Sequence, residues 1–249
     1  MTALLCDITG STSGGMTVVA IPAAGAGTPF FQPWVPVLEP AVDLTVVRLP
    51  GRGDLWDAEP ITDPEEVLSR VTAELADRGA EDLVIYGCCT GGPVAYQLAH
   101  RLLQQGVGRP VALVVNGSVT PATARREPHF YSSSTEDLRK YFDVAEPEDV
   151  DDEMWEMAEP RIRADLQVSE TCDYDVSPLD LPIVSVYGTD DQMVSRAENR
   201  RWADYTSRGV TVRELPGSHF LMNDCPEAVA REILAVCDMH RSGGRAFAS

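Results

Sequence analysis

The sequence predicts an α/β fold built on a mostly parallel sheet, and three observations carry that reading. Short, continuously apolar runs alternate with helix-spaced segments along nearly the whole chain. One of these runs leads into Gly87-Cys88-Cys89-Thr90-Gly91, a Gly-x-Cys-x-Gly turn opening a helix. An acid and then a histidine follow later, each just past a further apolar run.

The runs at 16–21, 44–49, 83–86, 111–115, 183–187 and 210–215 are β-branched and apolar at nearly every position. Strands buried on both faces of a parallel sheet read this way. Between them, 64–77, 92–105, 196–205 and 226–237 have helical spacing; Val67, Val71 and Leu75 share one face of the first. Alternation of this kind defines an α/β architecture. Residues 116–182 break the rhythm, since a crossover helix needs far fewer. Within them 136–142 and 151–158 read as helices, among the acids Glu146, Glu148, Asp149, Asp151, Asp152 and Glu153. An acidic surface loop is the plainer reading. The apolar Phe130, Tyr131, Tyr141, Phe142, Met154 and Trp155 favour an inserted helical lid over about 122–170. The expected organisation is one domain over 16–240, with a flexible N-terminus at 1–15 and a flexible tail at 241–249.

Composition excludes several functions. Lys plus Arg number 20 against 39 Asp plus Glu, a formal charge of −19 over 249 residues. Such a body repels phosphate backbones and anionic lipid surfaces, so neither nucleic acid nor membrane is expected as a partner. No window reaches the roughly 18 consecutive apolar residues of a spanning helix. Lys140 is the single lysine, so there is no P-loop, and no HExxH motif occurs. Residues 1–15 have no basic start, and Asp7 stands where an apolar core should run, which argues against a secretory leader. A cytoplasmic location is expected, with the six cysteines as free thiols. They are not at metal-ligand spacing, and no cofactor is expected.

The Gly-x-Cys-x-Gly turn is the most informative stretch. It has the form of a nucleophile elbow with cysteine at the serine position. The bend leaves no room for side chains two residues before and after the nucleophile, and Gly87 and Gly91 meet that need. The following helix N-terminus favours a thiolate and a developing oxyanion, and Pro93 suits a first helical turn. The plainer reading is a small buried residue at an ordinary turn; the partners downstream tell against it. His219 lies in a loop after the last strand, whereas His100 sits mid-helix, His129 in the lid and His240 near the end. Asp191 follows the preceding strand in Gly188-Thr189-Asp190-Asp191, and its spacing to Val194 favours it over Asp190. The alternative place for the acid reads Asn116-Gly117-Ser118 and holds no carboxylate. Cys89, His219 and Asp191 are thus the candidate nucleophile, base and orienting acid. The small-residue loop after the first strand, 22–27, and the N–H of Thr90 are candidate oxyanion donors.

With these residues in place, the chain resembles the free-standing type II thioesterases of polyketide and nonribosomal peptide assembly lines, which have the α/β-hydrolase fold. The likeness runs from about Val18 to Ala235. It rests on Pro22-Ala23-Ala24-Gly25 with Phe31 and Trp34, on Leu49-Pro50-Gly51-Arg52-Gly53, on 160–165 (Pro-Arg-Ile-Arg-Ala-Asp) and on Gly217-Ser218-His219-Phe220. The resemblance implies a Cys89-Asp191-His219 triad with Ala24 and Thr90 as oxyanion donors. It implies an acyl or aminoacyl group presented on the phosphopantetheine of an acyl or peptidyl carrier protein. The departure is at the elbow, where the family's Gly-His-Ser-x-Gly has become Gly87-Cys88-Cys89-Thr90-Gly91. Cys88 is read as a packing residue, and Arg125, Arg126, Arg161 and Arg163 near the lid are candidate docking cations.

The cysteine changes the expected outcome. Serine converts a thioester into a more stable oxygen ester, whereas cysteine makes another thioester and keeps the acyl group activated. Hydrolysis of carrier-bound acyl groups is the leading expectation. An acyl or aminoacyl transferase, or a cyclising or condensing enzyme, that passes the acyl group to a second carrier thiol, an amine or a hydroxyl is the first alternative, and a non-catalytic carrier-binding module the second.

Overall fold

The computed structural model describes residues 2–10, 15–145 and 151–243. Seven strands form one sheet: β1 (Leu5–Asp7), β2 (Met16–Ile21), β3 (Asp43–Val47), β4 (Asp82–Cys88), β5 (Arg109–Asn116), β6 (Ile183–Gly188) and β7 (Val210–Leu215). Their spatial order is β1-β3-β2-β4-β5-β6-β7, with β1 antiparallel to β3 and every other pairing parallel. Helices α1 (Val35–Leu38), α2 (Pro64–Arg78), α3 (Gly91–Gln105), α4 (Pro121–Ala124), α5 (Thr135–Ala145), α6 (Asp152–Thr171), α7 (Arg196–Arg200), α8 (Leu221–Asp224) and α9 (Pro226–Arg241) complete the described chain, with short 3-10 turns between them.

Every strand expected from the sequence is present, because both faces of the central strands are covered. Val19, Ile85 and Leu113 face the core shared with α2 and α3. Val18, Val84 and Val114 point to the opposite core, shared with α9. The period of two along each strand feeds the two cores alternately. On the second face Trp34 packs edge-on against Phe31 and Tyr86, with centroids 5.0 and 4.9 Å away. Helix α2 starts where the Asp63 carboxylate accepts the Glu65 N–H at 2.9 Å, with Pro64 in the first turn. That cap satisfies one orphan donor and fixes the start.

Three expectations need correction. The N-terminal stretch 1–15 is not wholly flexible: Leu5–Asp7 forms β1, with Leu4 and Leu5 buried and the Leu4 and Leu5 N–H groups donating to Glu74. The helix expected at 196–205 is α7 followed by a 3-10 turn over Arg201–Tyr205. The helix expected at 151–158 runs on as α6 to Thr171, with Pro160 inside it. Ile162, Leu166 and Val168 are buried beyond the proline, and their packing outweighs one missing backbone bond. Glu146, Glu148 and Asp149, and positions 244–249 of the expected tail, lie outside the described residues; α9 continues to Arg241.

Helices α4 to α6 lie between β5 and β6 and form the lid, whose own small core joins Leu138, Trp155, Ile162 and Leu166. No described helix is long and apolar enough to cross a membrane. Because the sheet is parallel from β3 to β7, the loops after β2, β4, β5, β6 and β7 emerge at one edge. Functional groups gather at that edge in such sheets.

Candidate active site

The elbow is fixed by backbone packing. Cys89 has φ 50°, the one positive value among described non-glycine residues. Such a conformation costs about 1–3 kcal/mol and persists only when its surroundings impose it. Here they do. The Cys89 N–H donates to the Asn116 carbonyl at 2.8 Å, and the Ser118 hydroxyl donates to the Cys89 carbonyl at 2.6 Å. A side chain at Gly87 would stand 2.3 Å from the Gly91 carbonyl oxygen, and one at Gly91 would stand 2.6 Å from those of Ile21 and Pro22. The bend therefore admits only hydrogen at both positions.

His219 is buried, and its Nδ1–H donates to the Asp191 carboxylate at 3.1 and 3.0 Å. Asp191 Oδ1 also accepts the N–H groups of Met193 and Val194 at 2.8 and 2.9 Å, which locks the acid. Burial pushes the Asp191 carboxyl up, but the bond and charge of His219 and the two backbone donors outweigh it, so it lies below the usual range. For His219, burial opposes the charged ring. The Cys89 sulfur and the Asp191 carboxylate outweigh that and raise it to about 10. The ring's Nε2 is buried and has no hydrogen-bond partner among the described residues, while Cys89 favours the imidazolium. A base with one nitrogen anchored and the other free beside a thiol can take a proton from it and return one.

The structure thus brings Cys89, His219 and Asp191 together from the ends of β4, β7 and β6. Gly117, at the end of β5, lies under the imidazole, where a Cβ would meet ring atoms at 3.3 Å. Ala24 sits in the loop after β2. In that loop the Gly25 N–H donates to Asp165 and the Ala26 N–H to the Ala23 carbonyl, so Ala24 precedes both committed donors. Thr90 is the cap residue of α3. Asp190 stays exposed, as a loop acid would. His100 is buried against Tyr96, His129 stacks on Tyr131 and His240 pairs with Asp82, all away from the elbow.

Some contributors escaped the sequence reading. Ser118 anchors the Cys89 carbonyl, and the Trp202 indole N–H holds the Ser118 carbonyl at 3.0 Å. Arg52 and Asp165 form a buried two-pronged ion pair at 2.8 and 2.8 Å, and Asp165 also accepts the Gly25 N–H at 2.8 Å. The pair ties lid helix α6 to the candidate oxyanion loop. Its two residues belong to two motifs that the sequence offered separately. Tyr141, expected only as a lid aromatic, has its phenol pushed up by burial and by the charges of Cys89, Glu170 and Asp191. Cys88 is buried, contacted by the Asn116 amide at 3.8 Å, with its thiol pushed up by burial. Of the candidate docking cations, Arg125 pairs with Asp173 and Arg163 with Glu159, while Arg161 stacks on Trp56.

The parallel sheet, the sharp turn after β4 and the lid between β5 and β6 define an α/β hydrolase. A model of the thioesterase domain family matches residues 16–237, and the chain belongs to that family. It is 26% identical over 212 residues to gramicidin S biosynthesis protein GrsT of Aneurinibacillus migulanus, covering 83% of each chain. It is 30% identical over 241 residues to AMB antimetabolite synthetase AmbE of Pseudomonas aeruginosa, spanning 94% of this chain but 11% of that protein. Among solved structures, BorB, a type II thioesterase from the borrelidin biosynthetic cluster, superposes with a TM-score of 0.82 at 27% identity, over 95% of this chain and 99% of that one. RedJ, a thioesterase from the prodiginine pathway of Streptomyces coelicolor, gives 0.82 at 25% identity, over 90% and 86%.

Proposed function

We propose that this protein is a type II thioesterase-like enzyme of polyketide or nonribosomal peptide biosynthesis, working through a Cys89 S-acyl intermediate. The observation that carries this is the strained Cys89 beside an imidazole whose far nitrogen is anchored on Asp191. The relatives support a biosynthetic setting: GrsT is named for gramicidin S biosynthesis, BorB for the borrelidin biosynthetic cluster and RedJ for the prodiginine biosynthetic pathway. A carrier protein presents an acyl group as its phosphopantetheine thioester. His219 Nε2 takes the thiol proton, and Cys89 Sγ attacks the thioester carbonyl. The N–H groups of Ala24 and Thr90 receive the oxyanion. The tetrahedral adduct collapses, the carrier's thiolate leaves, and His219 returns the proton to it. Water, deprotonated by His219, then attacks the S-acyl carbonyl and frees the acid together with the Cys89 thiol.

A specific observation favours a second reading, acyl transfer. The nucleophile is sulfur, so the intermediate is itself a thioester and can pass its acyl group to a carrier thiol, an amine or a hydroxyl in place of water. One experiment addresses both readings. The enzyme is mixed with an acylated carrier and offered water, a second carrier and an amine together. Intact mass should show a single acyl adduct that is absent from Cys89→Ala, with the free acid as main product. An adduct persisting in Cys89→Ala overturns the nucleophile assignment, and a dominant thioester or amide product replaces hydrolysis by transfer. Iodoacetamide reacting with Cys89 no faster than with a free thiol would instead favour the non-catalytic binding module.

A further inference from the structure

Tyr141, on lid helix α5, lines a cavity of about 500 Å³ beside the elbow, together with Thr90 and the Gln192–Val194 turn that follows Asp191. Its ring is fixed within the lid, tilted on Phe130 at a centroid distance of 4.1 Å and edge-on to Phe142 at 5.5 Å. The charges of Cys89, Glu170 and Asp191 all act on its phenol, that of Cys89 most strongly. Burial and those charges keep it protonated at any working pH.

The Tyr141 hydroxyl makes no hydrogen bond among the described residues. Its two acidic neighbours are occupied. Glu170 accepts the N–H groups of Phe130 and Tyr131 at 3.1 and 3.1 Å, and Asp191 holds His219, Met193 and Val194. Much of the remaining wall is apolar, including Val119, Pro128, Phe130, Leu166 and Met193. An O–H left unpaired in such a place costs free energy until something entering the cavity accepts it.

The acceptor that frees Cys89 has to enter beside this hydroxyl and His219. A hydrogen-bond donor holds only an atom with a lone pair to spare. The oxygen of water or of an alcohol has two: one attacks the S-acyl carbonyl, and the other receives the phenol O–H. A neutral amine nitrogen has one, which the attack itself consumes.

We infer that Tyr141 donates its O–H to the attacking oxygen when the Cys89 acyl group is released, and so selects water or a hydroxyl over an amine. This rests on the Cys89 S-acyl chemistry proposed above. One proton of the water passes to His219 Nε2 as the oxygen bonds to the acyl carbon. The C–S bond then breaks, and that proton goes to the departing Cys89 sulfur, while Tyr141 keeps its own. Acylation of Cys89 involves no such oxygen, so Tyr141 takes no part in it.

Tyr141→Phe keeps the ring and its stacking and removes only the hydroxyl. Wild type and variant are each mixed with hexanoyl-pantetheine thioester, and the Cys89 adduct is followed by intact mass as it forms and decays, in water alone and with glycinamide. The variant should acylate within about twofold of wild type, lose its adduct to water about three- to tenfold more slowly, and lose it to glycinamide at the wild-type rate. The ratio of acid to amide should fall by the same factor. Unchanged hydrolysis overturns the inference. So does an equal slowing of acylation, hydrolysis and aminolysis, which would make Tyr141 a packing residue. If wild type forms no adduct on Cys89, the thioester reading itself fails and the selection with it.

Discussion

At the scale of single residues, the decisive atom is the sulfur of Cys89. The elbow that holds it would hold a serine equally well, because the constraint is the backbone: φ 50°, the Asn116 carbonyl and the flanking glycines. Cys89→Ser should therefore fold and form an oxygen ester in place of a thioester. Its acyl group would sit lower in free energy, so transfer to a second carrier thiol should fall by roughly tenfold or more relative to hydrolysis. Product analysis with both acceptors present measures that ratio. Removing the sulfur altogether tests the electrostatics. Burial acts against the His219 charge, and Cys89 is the largest influence in its favour. Cys89→Ala should lower the His219 pKa from about 10 while leaving the Asp191 contact in place. The Cε1 proton shift of His219, followed by NMR across pH, reports it; an unmoved titration would mean that the sulfur and ring are not coupled.

At the scale of elements, a buried ion pair helps join the lid to the sheet edge. Arg52, from the loop after β3, and Asp165, on α6, lie 113 positions apart in sequence and share two hydrogen bonds. Arg52 also donates to the Ala26 carbonyl at 2.7 Å. Asp165→Ala would strand a buried guanidinium and release the Gly25 N–H. A loss of about 3–5 kcal/mol in urea unfolding is expected, because the remaining buried charge keeps only the Ala26 carbonyl and no counter-charge. Replacing both partners, as in Arg52→Met with Asp165→Leu, should recover much of the stability but not the loop's anchor, so kcat should remain depressed. The same pair marks the limit of what could be read from the sequence. Strands β2 to β7 were legible because both-face burial writes continuous apolar runs. The grouping of Cys89, Asp191 and His219 at one sheet edge was legible because the elbow's glycines and the order acid-then-histidine are local marks. β1 left almost no mark, being three residues of an edge strand with Leu5 as its only strong apolar signal. The α6 extension was hidden by Pro160, whose local preference is overridden by the buried face beyond it. Arg52 and Asp165 each stood in a recognisable motif, but nothing local says that two distant charges meet.

At the scale of the whole molecule, the formal charge of −19 and the buried His219–Asp191 pair act on stability through different distances. The His219 pKa rises on folding from 6.5 to about 10, so its protonated ring binds the folded state more strongly. That contribution is fully present below pH 6.5 and is lost as pH rises through about 10. Asp191 works in the opposite window: its pKa falls below 3.8, so its contribution is present above that value and is lost on further acidification. Between pH 7 and 10 the surface also becomes more negative, which adds self-repulsion to the loss at His219. Tm should therefore fall steadily over that range. Salt separates the causes, since it screens exposed charges and acts far less on a buried pair. In about 1 M salt the part of the decline due to surface repulsion should disappear, leaving the part due to His219. Cys89→Ala, which removes the main support for the imidazolium, should shift that residual decline to lower pH. A salt-insensitive decline identical in wild type and variant would show that neither the surface charge nor the thiol–imidazole pair governs alkaline stability.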